Sequence, residues 1–392
     1  MRNVVLLGST GSIGTQTCEV IDDHRDSFRI VGMGAGGGHL SQLARQAVHF
    51  GVPVVGIANP GLEDEFLARF EAAGGTTRPR LVSGPQANIE LAQLPADIVL
   101  NAITGSAGLL ATMATLAAGT RLALANKESL VIGGRLVTDA AAPGQMVAVD
   151  SEHSAFAQCL RGGGRQEVRR LVLTASGGPF RGMTRDQLRH VTPEQALAHP
   201  TWQMGRVITI NSATLVNKGL ELLEAALLYD VALDDIQVVV HPQSIVHSGV
   251  EFADGATILQ ASPPDMKLPI GLALTWPERM PDVARACDWT TAASWTFEPL
   301  DSESFPAVEL ARKAGRAGGT APAVLNGANE VCVDAFCKGQ IGFLDITETI
   351  AQVLDHHLSS NHVPDGQLSV QAVLDADDWA RGQACAVCRS RG

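Results

Sequence analysis

A glycine-rich segment near the N-terminus constrains the fold of this chain more than any other feature. The segment Gly8-Ser9-Thr10-Gly11-Ser12-Ile13-Gly14 directly follows the apolar run 4–7 and precedes residues with helical spacing. Glycines permit a tight turn and a close approach of ligand to backbone, and the start of the next helix attracts a pyrophosphate. The spacing is GxxGxxG rather than the stricter GxGxxG, so an ordinary strand–helix turn is the competing interpretation. We predict nucleotide binding here.

The first 150 residues alternate strand-like and helix-like segments, which is typical of a doubly wound parallel sheet. Predicted strands cover 4–7, 28–33, 52–57, 98–102, 121–125 and 146–149, and helical spacing occurs at 40–50 and 62–70. Further predicted strands lie at 168–175 and 236–240, with a hairpin of 245–252 and 256–261 around Asp254-Gly255. A helix is predicted at 212–228, and four more at 306–316, 322–338, 346–358 and 367–390.

These patterns predict an α/β fold class with three domains. Residues 1–150 form a Rossmann-like cofactor domain, and 151–280 form a central α+β catalytic domain of largely antiparallel strands. Residues 281–304, which contain Pro, Trp and acids without clear periodicity, are predicted to be a linker. Residues 305–392 are predicted to form a C-terminal helical domain.

Charge and composition exclude several classes of function. The formal net charge is −12 and aromatic residues are sparse, with 11 Phe, 5 Trp and 1 Tyr, so neither a nucleic-acid surface nor an anionic-membrane surface is expected. No apolar run is long enough to span a membrane or to form a signal peptide. The seven scattered cysteines fit a reducing compartment, so we expect a cytoplasmic protein. The Cys385/Cys388 pair has no second CxxC, and we expect it to be incidental.

Acidic residues follow the predicted strand that ends at Val149. In an extended chain, Asp150 and Glu152 on either side of Ser151 would project to the same side and could share one hard cation such as Mg²⁺ or Mn²⁺. A surface turn with two solvated acids is the alternative interpretation. The helix at 212–228 adds Asn217, Lys218 and Glu221, with either Ser212 or Asn211 as its cap. An exposed ion pair on an ordinary helix would explain the same residues.

Two further segments could complete an anion site. Residues 174–180 place Ser176 and backbone N–H groups at a strand end, an arrangement that can bind anions. Residues 199–206 contain His199, Trp202 and Met204 among Pro and Gly, which suits either a mobile lid or a buried structural turn. Seven arginines and two acids lie within 161–190, so this part of the chain is locally positive.

Taken together, these segments resemble the 1-deoxy-D-xylulose 5-phosphate reductoisomerase family. The resemblance covers essentially the whole chain, and its motifs occur in the family order. They are GSTGSIG at 8–14, LANKESLV at 124–131, VDSEHSA at 149–155, TASGGPF at 174–180, HPTWQMGR at 199–206, NSATLVNKGLELLEA at 211–225, HPQSIVHS at 241–248, PDMKLPI at 264–270 and LNGANEVCVDAF at 325–336. A single motif of this kind is weak evidence, whereas the ordered set is highly specific.

The resemblance implies NADPH-dependent isomerisation and reduction of 1-deoxy-D-xylulose 5-phosphate to 2-C-methyl-D-erythritol 4-phosphate, by a homodimer. It implies that a divalent cation, Mn²⁺ or Mg²⁺ or Co²⁺, is held by Asp150, Glu152 and Glu221, which with Lys127 form the catalytic set. The implied substrate contacts are Lys127, Ser151, Glu152, Ser176, His199, Trp202, Met204, Ser212, Asn217, Lys218 and Glu221, with His247 in a further pocket loop. The implied cofactor contacts are Thr10, Gly11, Ser12, Ile13, Gly36, Asn126, Glu128 and Gly205. Both a retro-aldol and an α-ketol route agree with these residues.

One departure concerns the second glycine turn, 34–38, where the family usually carries Lys or Asn toward the 2′-phosphate of NADPH. This chain has Gly37 and Gly38 there, with His39 or Arg45 as substitutes. The alternatives to the family assignment are a semialdehyde or homoserine dehydrogenase and a non-catalytic dinucleotide sensor. Neither dehydrogenase would need the acids around residues 150 and 221, and a semialdehyde dehydrogenase would also need a nucleophilic cysteine, for which none of the seven cysteines lies in a convincing motif. The sensor could lose those acids.

Overall fold

The protein is described by a computed structural model that covers residues 1–202 and 204–391. The chain divides into two compact units. The first unit comprises 1–129, 139–154 and 265–284, and the second comprises 130–138, 155–264 and 285 onward.

The first unit is built on a parallel sheet with the strand order β4-β3-β2-β1-β5-β6-β7. Its strands are β1 Arg2–Leu7, β2 Phe28–Ala35, β3 Val54–Ile57, β4 Arg80–Ser83, β5 Ile98–Asn101, β6 Arg121–Leu124 and β7 Met146–Ala148. Val4, Val5, Leu6 and Leu7 of the central strand are all fully buried, as expected when helices cover both faces of a parallel sheet. The predicted doubly wound parallel sheet is confirmed. The prediction missed β4, a short strand at one edge.

The helices that accompany this sheet follow the strands in alternation. They are α1 Ser12–Asp23, α2 Leu40–Phe50, α3 Glu63–Ala72, α4 Ala87–Ala92, α5 Leu109–Ala117, α6 Lys127–Gly133, α7 Arg135–Ala140 and α8 Ser151–Cys159. Residues 130–138 of α6 and α7 and residues 155–159 of α8 belong to the second unit. The later helix α13, Lys267–Thr275, belongs to the first unit. Its residues Ile270, Ala273 and Leu274 are buried in the apolar core that also contains Val20 and Ile21 of α1.

The second unit contains a mixed sheet of order β11-β10-β8-β9-β12. Its strands are β8 Val168–Ala175, β9 Ile236–Val240, β10 Val246–Phe252, β11 Thr257–Ala261 and β12 Glu298–Pro299. The predicted strands and the hairpin are confirmed, and all pairs are antiparallel except β8 with β9. The segment predicted to be a linker contributes β12, which pairs with β9.

Helices form the remainder of the second unit. They are α9 Arg185–Leu188, α10 Pro193–Leu197, α11 Arg206–Thr214, α12 Val216–Tyr229, α14 Ala307–Ala317, α15 Ala321–Cys337, α16 Phe343–Ser360 and α17 Val370–Arg391. The four predicted C-terminal helices are confirmed with small shifts of their ends. Cys388 on α17 faces Cys332 on α15 with 4.0 Å between the sulfurs, and all seven cysteines are free thiols.

The prediction of one continuous helix at 212–228 is wrong. Leu215 adopts a left-handed backbone conformation with φ of 61°, so α11 ends at Thr214 and α12 begins at Val216. A branched apolar residue rarely adopts positive φ, and nothing in the local sequence indicates this break. Ser212 consequently lies in the last turn of α11 instead of capping the helix.

The compact units do not follow the predicted boundaries at 150 and 280. Residues 265–284 belong to the first unit because α13 buries its apolar face in the core of the parallel sheet. The division into domains at 1–150, 151–280 and 305–392 remains a prediction. Among the described residues, no helix combines the length and the apolar character that a membrane span requires.

Candidate active site

The first glycine turn lies between β1 and α1 and is shaped by close backbone contacts. Gly8 has φ of 82°, and a Cβ there would lie 2.4 Å from the carbonyl oxygen of Ala102. A Cβ on Gly14 would lie 2.2 Å from the carbonyl oxygen of Gly8. Only glycine therefore allows α1 to approach the strand end this closely, as a dinucleotide-binding turn requires. The first turn of α1 carries no acidic residue, so it can accept an anionic ligand.

The remaining predicted residues of this turn lie at the start of α1. Gly11 is the N-cap, Ser12 and Ile13 are the first helical residues, and Thr10 precedes them. Their position is the one expected for a pyrophosphate ligand at a helix N-terminus. Gly36 follows the end of β2, where a Cβ would meet no atom within 4 Å.

Asn126 caps helix α6 in the first unit. Its Oδ1 accepts the backbone N–H of Ser129 at 3.1 Å, and its amide donates to the carbonyl oxygen of Gly105 at 3.0 Å and to Glu128 at 2.9 Å. These contacts bury the amide and fix the start of α6, where Lys127 and Glu128 are the first residues. Sequence reasoning identified Asn126 and Glu128 but did not anticipate the capping role.

Asp150 lies two residues after the end of β7 and immediately before helix α8. Its Oδ1 accepts the backbone N–H of Glu152 at 3.3 Å, and its carbonyl oxygen accepts the N–H of Ser154 at 2.9 Å. Asp150 and Glu152 are thus brought together by the first turn of a helix, and the prediction of an extended chain was wrong because the helix begins at Ser151. Their carboxylates offer oxygens within 4.8 Å of each other. Ser151 donates to Glu152 at 2.5 Å.

The carboxylate of Asp150 is largely buried, with 11% of the side chain exposed, and lies beside two basic groups. Lys127 Nζ lies 2.5 Å from Oδ2, and His153 Nδ1 lies 3.4 Å from Oδ1. Burial raises the pKa of the Asp150 carboxyl, but the Lys127 ammonium and the His153 ring outweigh it and hold that pKa well below its ordinary value. The carboxylate is therefore ionised and able to bind a cation. Sequence reasoning missed His153, although its position one helical turn after Asp150 was a usable signal.

In the second unit, Ser176 and His199 form a hydrogen-bonded pair. The ring nitrogen Nδ1 of His199 accepts the backbone N–H groups of Thr201 at 3.1 Å and Trp202 at 2.9 Å. The proton must then lie on Nε2, which donates to Ser176 Oγ at 3.1 Å. The N–H of Gly178 also donates to Ser176 Oγ at 3.2 Å, so the serine hydroxyl keeps its own proton for a ligand oxygen. Burial lowers the pKa of His199, which favours this neutral form.

The predicted lid segment lies close to β10. The ring of Trp202 contacts that of His247 with 6.2 Å between centroids, and His247 Nε2 is 3.1 Å from the carbonyl oxygen of Ser262. Trp202 and Met204 are half-buried, whereas Gly205 is exposed and is the N-cap of α11. Gln203, between Trp202 and Met204, lies outside the described residues.

The break at Leu215 places four predicted residues around the junction of α11 and α12. Asn217 and Lys218 occupy the first turn of α12, and both side chains donate to the carboxylate of Glu221. Lys218 and Glu221 are buried, so this is not the exposed ion pair of an ordinary helix. A Cβ on Gly178 would lie 2.8 Å from the carbonyl oxygen of Ser212, so the turn after Ser176 packs directly on the end of α11.

Comparison with known proteins supports the family resemblance along the chain. Residues 4–134 match a family model for 1-deoxy-D-xylulose 5-phosphate reductoisomerase, and residues 146–229 and 261–383 match two models of its C-terminal domains. A protein of Cutibacterium acnes named 1-deoxy-D-xylulose 5-phosphate reductoisomerase is 65% identical over 99% of this chain and 98% of its own length. The chain belongs to the 1-deoxy-D-xylulose 5-phosphate reductoisomerase family.

Solved structures of reductoisomerases share the fold. The enzyme of Zymomonas mobilis in complex with NADPH is 40% identical, with a TM-score of 0.89 and coverage of 99% of both chains. A reductoisomerase complex with NADPH, fosmidomycin and magnesium is 35% identical, with a TM-score of 0.92 and coverage of 99% of this chain and 98% of that chain. The family resemblance and the fold class predicted from the sequence are therefore confirmed.

Within each unit, the structure brings the predicted reductoisomerase residues into three groups. The first is the pair of Lys127 and Asp150 with the neighbouring Glu152. The second is Ser176 with His199, and the third is Asn217, Lys218 and Glu221. The ring of Trp202 contacts His247, and the backbone N–H of Trp202 donates to His199 of the second group.

Proposed function

We propose that this chain converts 1-deoxy-D-xylulose 5-phosphate into 2-C-methyl-D-erythritol 4-phosphate, with NADPH as reductant and a divalent cation as cofactor. The observation that carries the proposal is the largely buried, ionised carboxylate of Asp150, which pairs with Lys127 two residues beyond the last strand of a dinucleotide-type sheet. A buried carboxylate is costly unless it is paired or binds a cation. Ligands of open α/β sheets bind at this carboxyl edge.

The first glycine turn fits a dinucleotide. The clash that a Cβ on Gly14 would cause with the Gly8 carbonyl shows a backbone packed for close ligand approach. Relatives of the same family are described in complex with NADPH, which supports the same cofactor here. We assign to it the N–H groups and side chains at Thr10, Gly11, Ser12 and Ile13, together with Gly36, Asn126, Glu128 and Gly205.

The donor set fits a hard divalent cation. Asp150, Glu152 and Glu221 offer carboxylate oxygens, which Mg²⁺ and Mn²⁺ prefer. A relative of the same family is described in complex with magnesium. Bound there, the cation would polarise the two oxygens of the substrate's hydroxy-ketone as a Lewis acid and orient them for rearrangement.

The second unit supplies groups for the substrate phosphate. Ser176 keeps a hydroxyl proton to donate because its oxygen accepts from His199 and Gly178. We assign Ser212, Asn217 and Lys218 to the same phosphate, with Lys218 as the point charge. A phosphate held away from the reacting carbons lets its binding energy orient those carbons.

The other residues position the reacting groups and exclude water. Lys127 holds the ionised Asp150 in place, and Ser151 fixes the carboxylate of Glu152. We propose that Trp202 and Met204 cover the substrate before hydride transfer from NADPH, because their apolar groups would exclude water from the reacting atoms. His199 orients the hydroxyl of Ser176.

The proposed function is tested by following NADPH oxidation with 1-deoxy-D-xylulose 5-phosphate and Mn²⁺, and by identifying the product by mass spectrometry. A chelator should abolish turnover, and added Mn²⁺ or Mg²⁺ should restore it. Glu221→Gln should lower kcat/KM by at least ~100-fold, because the loss of a ligand should exceed the 10- to 100-fold loss caused by outer-shell changes. Glu194→Gln, at an exposed position on α10, is the control and should leave turnover unchanged.

Two outcomes contradict the proposal. Absence of NADPH oxidation by the folded wild-type protein would refute the reaction. Unchanged activity of the Glu221→Gln variant would refute the cation site while leaving the reaction in place.

We also propose that the protein acts as a cytoplasmic homodimer on a small sugar phosphate, without nucleic-acid or membrane partners. The family resemblance supports the homodimer, and the acidic net charge of −12 disfavours polyanionic surfaces as partners. Light scattering coupled to size exclusion should give a mass of two chains, and a mass of one chain at micromolar concentration would contradict the dimer.

A further inference from the structure

A cleft of about 350 Å³ lies beside the second glycine turn in the first unit. It is bounded by the end of β2, the start of α2 and one side of α3. Dinucleotide-binding folds place the adenosine ribose at the carboxyl end of this second strand. The polar side chains of the cleft are His39, Ser41, Gln42, Arg45, Glu65 and Arg69.

The glycine turn itself contributes no polar side chain to this cleft. A Cβ on Gly38 would meet no atom within 4 Å, whereas Gly37 has φ of 113° and a Cβ there would lie 2.6 Å from Leu62 Cδ1. The turn therefore presents its backbone to the cleft and contributes no charged side chain. Any recognition of an anion at this position must come from side chains on α2 and α3.

Arg69 is already neutralised by an acid of the same helix. Its Nε and Nη2 donate to Glu65 Oε1 at 3.0 and 2.6 Å, and its Nη1 donates to the hydroxyl oxygen of Ser41. Glu65 is the only acid among the residues that line the cleft. Arg69 thus fixes the Ser41 hydroxyl, which keeps its proton for a ligand.

Arg45 supplies the unpaired positive charge of the cleft. It lies on α2, is exposed, and forms no ion pair with any other described residue. The acids on its other side are already paired, since Asp22 accepts from Arg25 at 2.6 Å and Glu19 lies 2.8 Å from Lys267. With the charges of Glu65 and Arg69 cancelled, the cleft has a net positive charge from Arg45.

We infer that this cleft binds the 2′-phosphate of NADPH, with Arg45 as the specificity-determining cation and Ser41 and His39 as further donors. This inference rests on the proposed use of NADPH. A guanidinium can donate two parallel hydrogen bonds to a phosphate, which gives both strength and geometric selectivity. The first turn of α2 carries no acid that would oppose the phosphate. NADH, which lacks the phosphate, makes none of these contacts.

The test is direct binding without substrate or metal. The dissociation constants of NADPH and NADH are measured by fluorescence titration, and those of 2′,5′-ADP and 5′-AMP by calorimetry. Arg45→Gln should raise the Kd of NADPH and of 2′,5′-ADP by about 10- to 100-fold, because one charge-assisted contact is lost. The Kd values of NADH and 5′-AMP should change less than about twofold, and Arg45→Lys should restore part of the preference.

Arg29→Gln is the matched control. Arg29 is also exposed and lies on β2, but at the opposite end of the strand from the cleft. The Arg29→Gln variant removes one positive charge from the same unit, as Arg45→Gln does, and should change none of the four dissociation constants. Melting temperatures of the variants confirm that each is folded.

The outcomes separate this inference from the proposed function. If Arg45→Gln leaves the Kd of NADPH unchanged, or raises those of NADPH and NADH equally, the assignment of Arg45 is overturned. If the wild type binds NADH as tightly as NADPH, the cleft does not recognise the phosphate and the inference also fails. If the wild type binds neither nucleotide, the proposed use of a nicotinamide cofactor fails with it.

Discussion

Replacement of Gly14 by alanine tests the packing of the first glycine turn. The new Cβ would lie 2.2 Å from the carbonyl oxygen of Gly8 and 2.6 Å from backbone atoms of Ser9. Ordinary van der Waals contact needs more than 3.4 Å, so the strand end and α1 must separate by about 1 Å. The opposing atoms belong to the backbone, and rotation of a side chain cannot relieve the clash.

The magnitude follows from two opposing effects. Overpacking of this kind costs about 1–3 kcal/mol, sometimes more. Alanine at the third position of α1 recovers about 0.5–1 kcal/mol of helix propensity. We therefore expect a net loss of about 1–2 kcal/mol in the free energy of unfolding. In a unit of this size that corresponds to a decrease of about 2–8 °C in melting temperature.

The assay is thermal unfolding of the protein without ligands, followed by circular dichroism, together with titration of NADPH. Gly11→Ala is the matched control, because a Cβ there would lie 3.4 Å from the Gly8 carbonyl oxygen and the φ of −77° suits alanine. The melting temperature of the Gly11→Ala variant should stay within about 1 °C of the wild type, since the added Cβ clashes with no atom. If Gly14→Ala melts like Gly11→Ala and binds NADPH with unchanged affinity, the turn is not close-packed and the argument fails.

Three further predictions concern the second unit. Burial among two other histidines lowers the pKa of His357 to about 4, so its contribution to stability is complete above pH ~6.5 and falls as the pH decreases toward 4. Urea titrations should show a loss of up to about 3 kcal/mol over this range, which His357→Gln reduces and His190→Gln, at an exposed position, does not. Asn329→Ala leaves a buried amide oxygen on α11 without its donor and should cost about 1–3 kcal/mol in the same titration. His199→Leu removes the donor to Ser176 and should raise the substrate KM about tenfold, with an unchanged Kd for NADPH.

Strong periodicity and special turn residues made much of the fold predictable. The glycine turn at 8–14 and the apolar run before it identify β1 and α1, and the Asp254-Gly255 turn identifies the hairpin of β10 and β11. Strand β4 was not predicted because Arg80–Ser83 is short, lies at a sheet edge and contains only two apolar residues. The packing of α13 in the first unit was not predicted because it depends on contacts with residues far away in the chain.

Local conformation limited the prediction of the candidate site. The side chains of Asp150 and Glu152 were identified from their chemistry, but the helix that begins at Ser151 was not, since only two residues separate it from the strand before it. The break at Leu215 has no sequence signal because leucine disfavours positive φ, and tertiary packing must impose it. The buried state of Lys218 and Glu221 follows from that break and from the neighbouring helices, which no local pattern reveals.

The ion pair of Lys218 with Glu221 has a thermodynamic consequence. The ammonium group of Lys218 pairs with this buried carboxylate, and the same ammonium is the proposed ligand of the substrate phosphate. A phosphate that attracts the Lys218 ammonium would weaken its pairing with Glu221, and the proposed divalent cation would supply positive charge to that carboxylate. Each of the two ligands would then increase the affinity for the other, and by linkage the two increases must be equal.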